Sequence, residues 1–288
     1  MAEFTSLASA VGQHVHDGDR VALEGFTHLI PFAAGHEIIR QGRRELTLVR
    51  MTPDIIYDQL IGMGCASRMI FSWAGNPGAG SLHRFRDAVE NARPHALEIE
   101  EHSHAGMATR YATSASGLPF GILRGYTGTD LATVTNNIAW VECPFTGERL
   151  AAVPALDLDV GIICAQQADR EGNVMLWGIT GVQKETVLGA RRSIVLVEEV
   201  VDSFSPHVNG VVLPSWVVDA IAVVPSGPFP SYAQGYSERA NAFYAHWESV
   251  SRDEEVFRTW MKEHVLGTGD HEQFLASLDP SLREATNA

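Results

Sequence analysis

Two short segments carry residue types able to hold a small anionic molecule. The first is Glu24-Gly25-Phe26-Thr27-His28-Leu29-Ile30-Pro31. An apolar run, Arg20-Val21-Ala22-Leu23, precedes it and a helix-like run over 32–43 follows. A strand, a short Gly-containing loop and a helix present free backbone amides to an anion or a developing oxyanion. The plain alternative is a βα turn in which Gly25 supplies only conformational freedom. The second segment is Glu101-His102-Ser103-His104, between a strand-like and a helix-like run. There Ser103 and His104 are placed to hydrogen-bond a carboxylate or carbonyl. The alternative makes Ser103 a helix N-cap and leaves His102 in solvent.

Other chemistries find less support. Ser103 has His on both sides, so the G-x-S-x-G elbow of a nucleophilic serine is absent. His102 and His104 would share a strand face, but no third metal ligand accompanies them, and no metal is expected. His14 and His16 fall at the end of the first helix, on the surface. Gly25 has no G-x-G-x-x-G around it, and Gly75, Gly78 and Gly80 match neither that pattern nor a P-loop. The 288 residues carry a formal net charge of -14, which disfavours nucleic acid and anionic lipid as partners. Attraction to an anionic substrate must then be local. Cys65, Cys143 and Cys164 show no metal-type spacing and read as reduced thiols of a cytoplasmic protein. No basic-then-apolar leader is evident, and no apolar run approaches the ~18 residues that span a bilayer.

The elements that must position these segments follow from hydrophobic periodicity. Strands are predicted at 21–23, 46–49, 69–71, 96–100, 160–164, 193–197 and 220–224. Helices are predicted at 6–16, 32–43, 55–60, 82–92 and 105–114. The pattern predicts an α/β fold, an open, mostly parallel sheet with helices on both faces. In such a sheet ligands lie beyond the carboxyl ends of the strands. Four loops meet that condition: 25–31, 73–80, 101–104 and a polar run over 165–173. The stretch 125–147 reads as an irregular excursion over the site. Beyond Pro225, a connector with Pro228, Pro230 and Tyr232 leads to helices at 236–247, 253–265 and 271–278. This tail, about 226–288, reads as a helical appendage to a core of about 5–225, within one domain over 1–288.

Several motifs, in order, resemble one family. They include Gly117-Leu118-Pro119-Phe120, Gly128-Thr129-Asp130, Cys143-Pro144-Phe145-Thr146-Gly147-Glu148, the run over 152–174 and Val197-Glu198-Glu199-Val200-Val201-Asp202. Together they are similar to the α-subunits of class I CoA-transferases, with the glutaconate type as the closest likeness. One departure concerns the family's usual Gly-Gly-Phe-x-x-x-Gly-x-Pro loop: Glu24 replaces its first Gly, no Gly precedes the Pro, and Pro31 comes one residue early.

The resemblance implies transfer of CoA from an acyl-CoA to a carboxylic acid through a mixed anhydride and an enzyme–CoA thioester. The family's nucleophilic glutamate lies in a Ser-Glu-Asn-Gly motif of the β-subunit, which this chain lacks; Glu171-Gly172-Asn173 belongs to the α signature. A β-subunit partner is therefore expected, with no permanently bound cofactor and the CoA thioester as substrate. This half would supply oxyanion donors, for which Gly25, Phe26 and Thr27 are the candidates. Ser103, with His28, His104 or Asn76, would orient the acid, which is glutaconate-like, 3-oxoadipate-like or another 3-oxo acid. Glu24 and Glu101 are expected to point away from it or to hold the loop. Two alternatives stand beside this. Ring-opening CoA-thioester hydrolases of the same fold use an α-subunit glutamate that falls at or beside His104, and Glu101 is three residues away. A non-catalytic ligand-binding module of related fold is the other.

Overall fold

The computed structural model describes residues 2–76 and 80–283. From the N-terminus come β1 (Glu3–Phe4), α1 (Leu7–His14), β2 (Arg20–Glu24), α2 (Phe32–Arg40), β3 (Leu46–Val49), α3 (Ile55–Gly62) and β4 (Ala66–Phe71). Next are α4 (His83–Asn91), β5 (Glu98–Glu101), α5 (His104–Ala115), β6 (Phe120–Leu123), α6 (Leu131–Val134), β7 (Ala139–Glu142) and β8 (Arg149–Pro154). Then follow β9 (Leu158–Asp169), β10 (Val174–Leu176), α7 (Gln183–Gly189), β11 (Ala190–Val201), β12 (Val211–Leu213) and β13 (Ala220–Val223). The tail is α8 (Asn241–Arg252), α9 (Glu254–Trp260), a π-helical turn (Met261–Leu266) and α10 (His271–Ser277).

The main sheet runs β1-β13-β11-β9-β2-β3-β4-β5 with every pair on that path parallel, as expected of an open α/β sheet. Side chains alternate between its faces. Val21, Leu23, Leu48, Met69 and Phe71 join the larger core with α1, α2 and α3. Ala22, Val49 and Ile70 turn the other way, toward Met107 and Tyr111 of α5. Both faces are therefore dry, which is why these strands read as unbroken apolar runs. The tail contributes Phe243, Trp247, Phe257 and Phe274 to the larger core.

Two predicted segments come out differently. β9 does not end at Cys164 but runs on to Asp169 and pairs with β11 as far as Val201↔Asp169. Residues 165–169 are strand because Gln166 is buried and bonded: its amide donates to Trp177 O at 3.1 Å and accepts from Trp177 N–H at 3.1 Å. The chain then folds back as β10, antiparallel to β9. Hence the predicted fourth loop, 165–173, is no strand-end loop of the switch region. The 125–147 excursion is also more ordered than expected, since it holds α6 and β7. β7 pairs with β8, and β8 with β6, as a separate three-stranded antiparallel sheet.

Candidate active site

Successive strands build outward from β2 on one side (β3, β4, β5), while β9, β11 and β13 lie on the other. The 25–31 turn therefore leaves the sheet at its switch point, the usual ligand position of such folds. Sequence dictates its shape. A Cβ on Gly25 would lie 2.6 Å from Leu29 O and 2.8 Å from His28 O, so the turn folds back onto its own first residue. Thr27 and Leu29 sit at φ 59° and 53°, a region costly for side chains that must be held by neighbours. The holding comes from the connector. Leu29 N–H donates to Tyr232 O at 2.8 Å, and the Ser231 hydroxyl donates to Thr27 O at 2.9 Å.

His28 belongs to the same brace. Gln234 N–H donates to its Nε2 at 2.9 Å, which makes Nδ1 the protonated nitrogen facing Ile179 O at 3.3 Å. Burial pushes its pKa down and keeps the ring neutral. With both nitrogens engaged, His28 ties three loops together.

Beneath the turn lies a charged layer. Glu24 is 3% exposed and accepts from the Tyr111 hydroxyl at 2.6 Å and from Met51 N–H at 2.9 Å. The Gly25 amide also donates to this carboxylate. Burial raises the Glu24 pKa, with Arg50 and these hydrogen bonds opposing. Arg50 is 1% exposed, donating to Asp54 Oδ1 at 2.8 Å and to Gly25 O at 2.7 Å. Gly25 is thus fully used. Among the described residues no partner bonds the amides of Phe26 and Thr27, and both residues are half-buried. Of the three expected oxyanion donors, these two are open.

The next strand ends carry the remaining candidates. After β4, the Ser72 hydroxyl donates to Met51 O at 2.7 Å, so Glu24, Met51 and Ser72 lace three strand ends together. Asn76 is 4% exposed, and neither Oδ1 nor Nδ2 has a partner among the described residues. A buried, unsatisfied amide is costly and points to a group that completes it. The loop's 77–79 portion lies outside the described residues. After β5, Ser103 is the N-cap of α5, its Oγ accepting from Gly106 N–H at 3.0 Å. His104 is exposed, in the first position of that helix.

His102 is not in solvent as the capping alternative held. It is 1% exposed, with Nε2 2.9 Å from Glu100 Oε1 and Nδ1 3.2 Å from the Tyr126 hydroxyl. Arg110 pairs with the same Glu100 oxygen. Burial alone would raise Glu100, but His102 and Arg110 outweigh it and hold its pKa at about 2. This cluster, with Ser103 N–H donating to the Tyr126 hydroxyl at 3.2 Å, fixes the start of α5. The 125–147 excursion thus reaches the β5 end through Tyr126.

Asn76 and the Ser103–His104 pair therefore leave adjacent strands, and the turn leaves one two strands from β4, a step of about 5 Å per strand. Glu101 is exposed, and Glu24 grips the turn. Sequence reasoning missed Arg50, Met51, Ser72 and the bracing of the turn by residues 231–234. The only available signal was a lone Arg ending the apolar run 46–49. Among the described residues no group of His, Cys, Asp and Glu could hold a metal, and no helix is long and apolar enough to cross a membrane.

Known proteins resemble the chain in both sequence and fold. It is 59% identical to the A-subunit of the 3-oxoadipate CoA-transferase of Pseudomonas knackmussii, over 96% of its own length and 99% of that protein. It is 31% identical to the A-subunit of the glutaconate CoA-transferase of Acidaminococcus fermentans, covering 96% and 92% of the two chains. The crystal structure of glutaconate coenzyme A-transferase from that organism superposes with a TM-score of 0.88 at 29% identity, covering 98% of this chain and 94% of the other. Residues 4–223 match the family model described as coenzyme A transferase. With a closely matching fold and likeness running nearly end to end, the chain belongs to the coenzyme A transferase family.

Proposed function

We propose that this chain is the α-subunit of a two-subunit acyl-CoA:carboxylate CoA-transferase acting on a dicarboxylic or 3-oxo acid of the 3-oxoadipate or glutaconate kind. The 59% identity to the A-subunit of a 3-oxoadipate CoA-transferase, over nearly all of both chains, carries the reading. The nucleophilic glutamate belongs to the β-subunit, because no Ser-Glu-Asn-Gly occurs here. Its carboxylate attacks the acyl-CoA carbonyl and expels CoA thiolate, leaving an acyl–glutamyl anhydride. The thiolate then attacks the glutamyl carbonyl, releasing the first acid and forming a glutamyl–CoA thioester. The acceptor acid reverses these steps and leaves as its CoA thioester. Each attack develops an oxyanion, toward which the amides of Phe26 and Thr27 are the available donors on this chain. Asn76, Ser103 and His104 orient the acid from the neighbouring strand ends, while Gly25 and His28 hold the turn in shape. The CoA thioester enters as substrate, no cofactor is retained, and the complex works in the cytoplasm.

Thioester exchange among several acids, measured for this chain alone and for the chain co-purified with its β-subunit, tests the reading. Exchange by the complex alone is expected. Exchange by the isolated chain refutes the divided site, and net hydrolysis without transfer turns the reading toward the hydrolases of this fold.

A further inference from the structure

The Gly128-Thr129-Asp130 motif takes no part in the reaction steps, yet it seats a residue against the candidate site. Thr129 N–H and the Thr129 hydroxyl both donate to Tyr126 O, at 3.1 and 3.0 Å. Tyr126 sits at φ 64°, a conformation that a bulky residue keeps only under restraint. Its ring packs in a small core with Ile138, Ala151 and Val153. Its hydroxyl reaches the start of α5, where Ser103 N–H donates to it at 3.2 Å and His102 Nδ1 lies 3.2 Å away. The approach depends on residue 106. A Cβ on Gly106 would lie 1.7 Å from the Tyr126 hydroxyl oxygen and 2.8 Å from the ring carbon that bears it. Gly is a poor helix former, so its place in the first turn of the 12-residue α5 serves this contact. Two unfavourable local choices, a left-handed Tyr and a helical Gly, thus converge on one hydroxyl.

We propose that Tyr126 is a positioning residue for the acceptor acid: its hydroxyl sets where the first turn of α5, and with it Ser103 and His104, stands. The proposal rests on the reading in which those two residues orient the acid. Ser103 spends its Oγ on Gly106 N–H, so the tie of its backbone to Tyr126 places the cap itself. His104 is exposed and follows that turn. Further along the helix, Arg110 pairs with Glu100, and its Nε donates to Pro154 O at 3.0 Å. This second anchor holds α5 against β5 and β8 when the hydroxyl is lost, so the expected result is a displaced first turn in a folded chain. Groups that orient a substrate tolerate little displacement, because the reacting atoms must be held in line.

The test uses this chain co-purified with its β-subunit, with 3-oxoadipate as acceptor. KM for the acceptor and for the acyl-CoA donor are measured beside thermal melting. Tyr126→Phe keeps the ring and removes the hydroxyl. It is expected to raise KM for 3-oxoadipate about fivefold, the scale of one ordinary hydrogen bond, with KM for the donor held within about twofold. Thr129→Val leaves every group of α5 in place and loosens the seat of Tyr126, so it is expected to shift the same KM in the same direction by less. His104→Ala raises that KM in wild type and is expected to add no more than about twofold in the Tyr126→Phe background, because both act through one turn. Lower melting with an unchanged KM for 3-oxoadipate makes Tyr126 merely structural and overturns the proposal. Equal rises for acid and donor, or full multiplication of the two single effects in the double variant, also overturn it. A His104→Ala complex with the wild-type KM for the acid defeats the parent assignment of the acid to this turn. That result is distinct from one in which His104→Ala raises KM and Tyr126→Phe does not.

Discussion

Replacing Gly25 with Ala is expected to damage stability and turnover together. The added Cβ would lie 2.6 Å from Leu29 O, 2.8 Å from His28 O and 2.8 Å from Ile30 Cα. All three are main-chain atoms of one turn, so no side-chain rotation relieves the overlap. The turn must open, against the Leu29–Tyr232 backbone bond of 2.8 Å and the Gln234–His28 bond of 2.9 Å. Overpacking of this kind costs about 1–3 kcal/mol. At about 2–4 °C per kcal/mol for a domain of roughly this size, melting falls by about 2–12 °C. Opening also carries the Phe26 and Thr27 amides away from their places, and a 1 Å misplacement of a positioning group costs up to about a hundredfold in rate. Differential scanning calorimetry and steady-state CoA transfer on the co-purified complex measure both. A Gly25→Ala protein that melts and turns over like wild type refutes the closed turn.

Ser103→Ala removes the cap on Gly106 N–H and is expected to cost about 1 kcal/mol in unfolding free energy, read from chemical denaturation. His104, exposed and uncommitted to the cap, has the opposite profile: His104→Ala is expected to raise KM for the acid with unchanged melting. Asp58 is pushed up to about 6 by burial, against hydrogen bonds from Phe85 N–H and the Trp247 indole. Its unfolded pKa is 3.8, so the native form holds a proton that the unfolded chain has lost between those values. The stability tied to that proton is present below about pH 4 and is lost as pH rises to about 6, a change on the order of 3 kcal/mol. Asp58→Asn is expected to remove this slope from chemical denaturation curves taken between pH 4 and 7; an unchanged slope refutes the assignment.

What could be read in the sequence was whatever burial on both faces of a sheet imposes. Val21-Ala22-Leu23, Leu46-Thr47-Leu48-Val49 and Ala220-Ile221-Ala222-Val223 announce central parallel strands because neither face tolerates polarity. The 165–169 extension of β9 stayed hidden because Gln166 and Gln167 look solvated by type, yet one is sealed by Trp177 and the other pairs with Glu199 across the sheet. The 25–31 turn was visible through its Gly, but its brace was not. Ser231, Tyr232 and Gln234 lie some 200 residues downstream, and no local pattern reveals that distance closing. Arg50 and His102 were missed or misplaced for a related reason. A charged or titratable residue at a strand end reads as solvent-facing until its buried partners, Asp54 for one and Glu100 for the other, are seen in three dimensions.

The central claim is that this polypeptide shapes and polarises a pocket whose bond-making carboxylate comes from its partner. Borohydride reduction of the complex after incubation with acyl-CoA, followed by peptide mapping, tests it most directly, because the enzyme–CoA thioester is reduced where it forms. The account predicts that the reduced glutamyl residue maps to the β-subunit, with none on this chain. A reduced residue at Glu24, Glu101 or any other glutamate of this chain would contradict it.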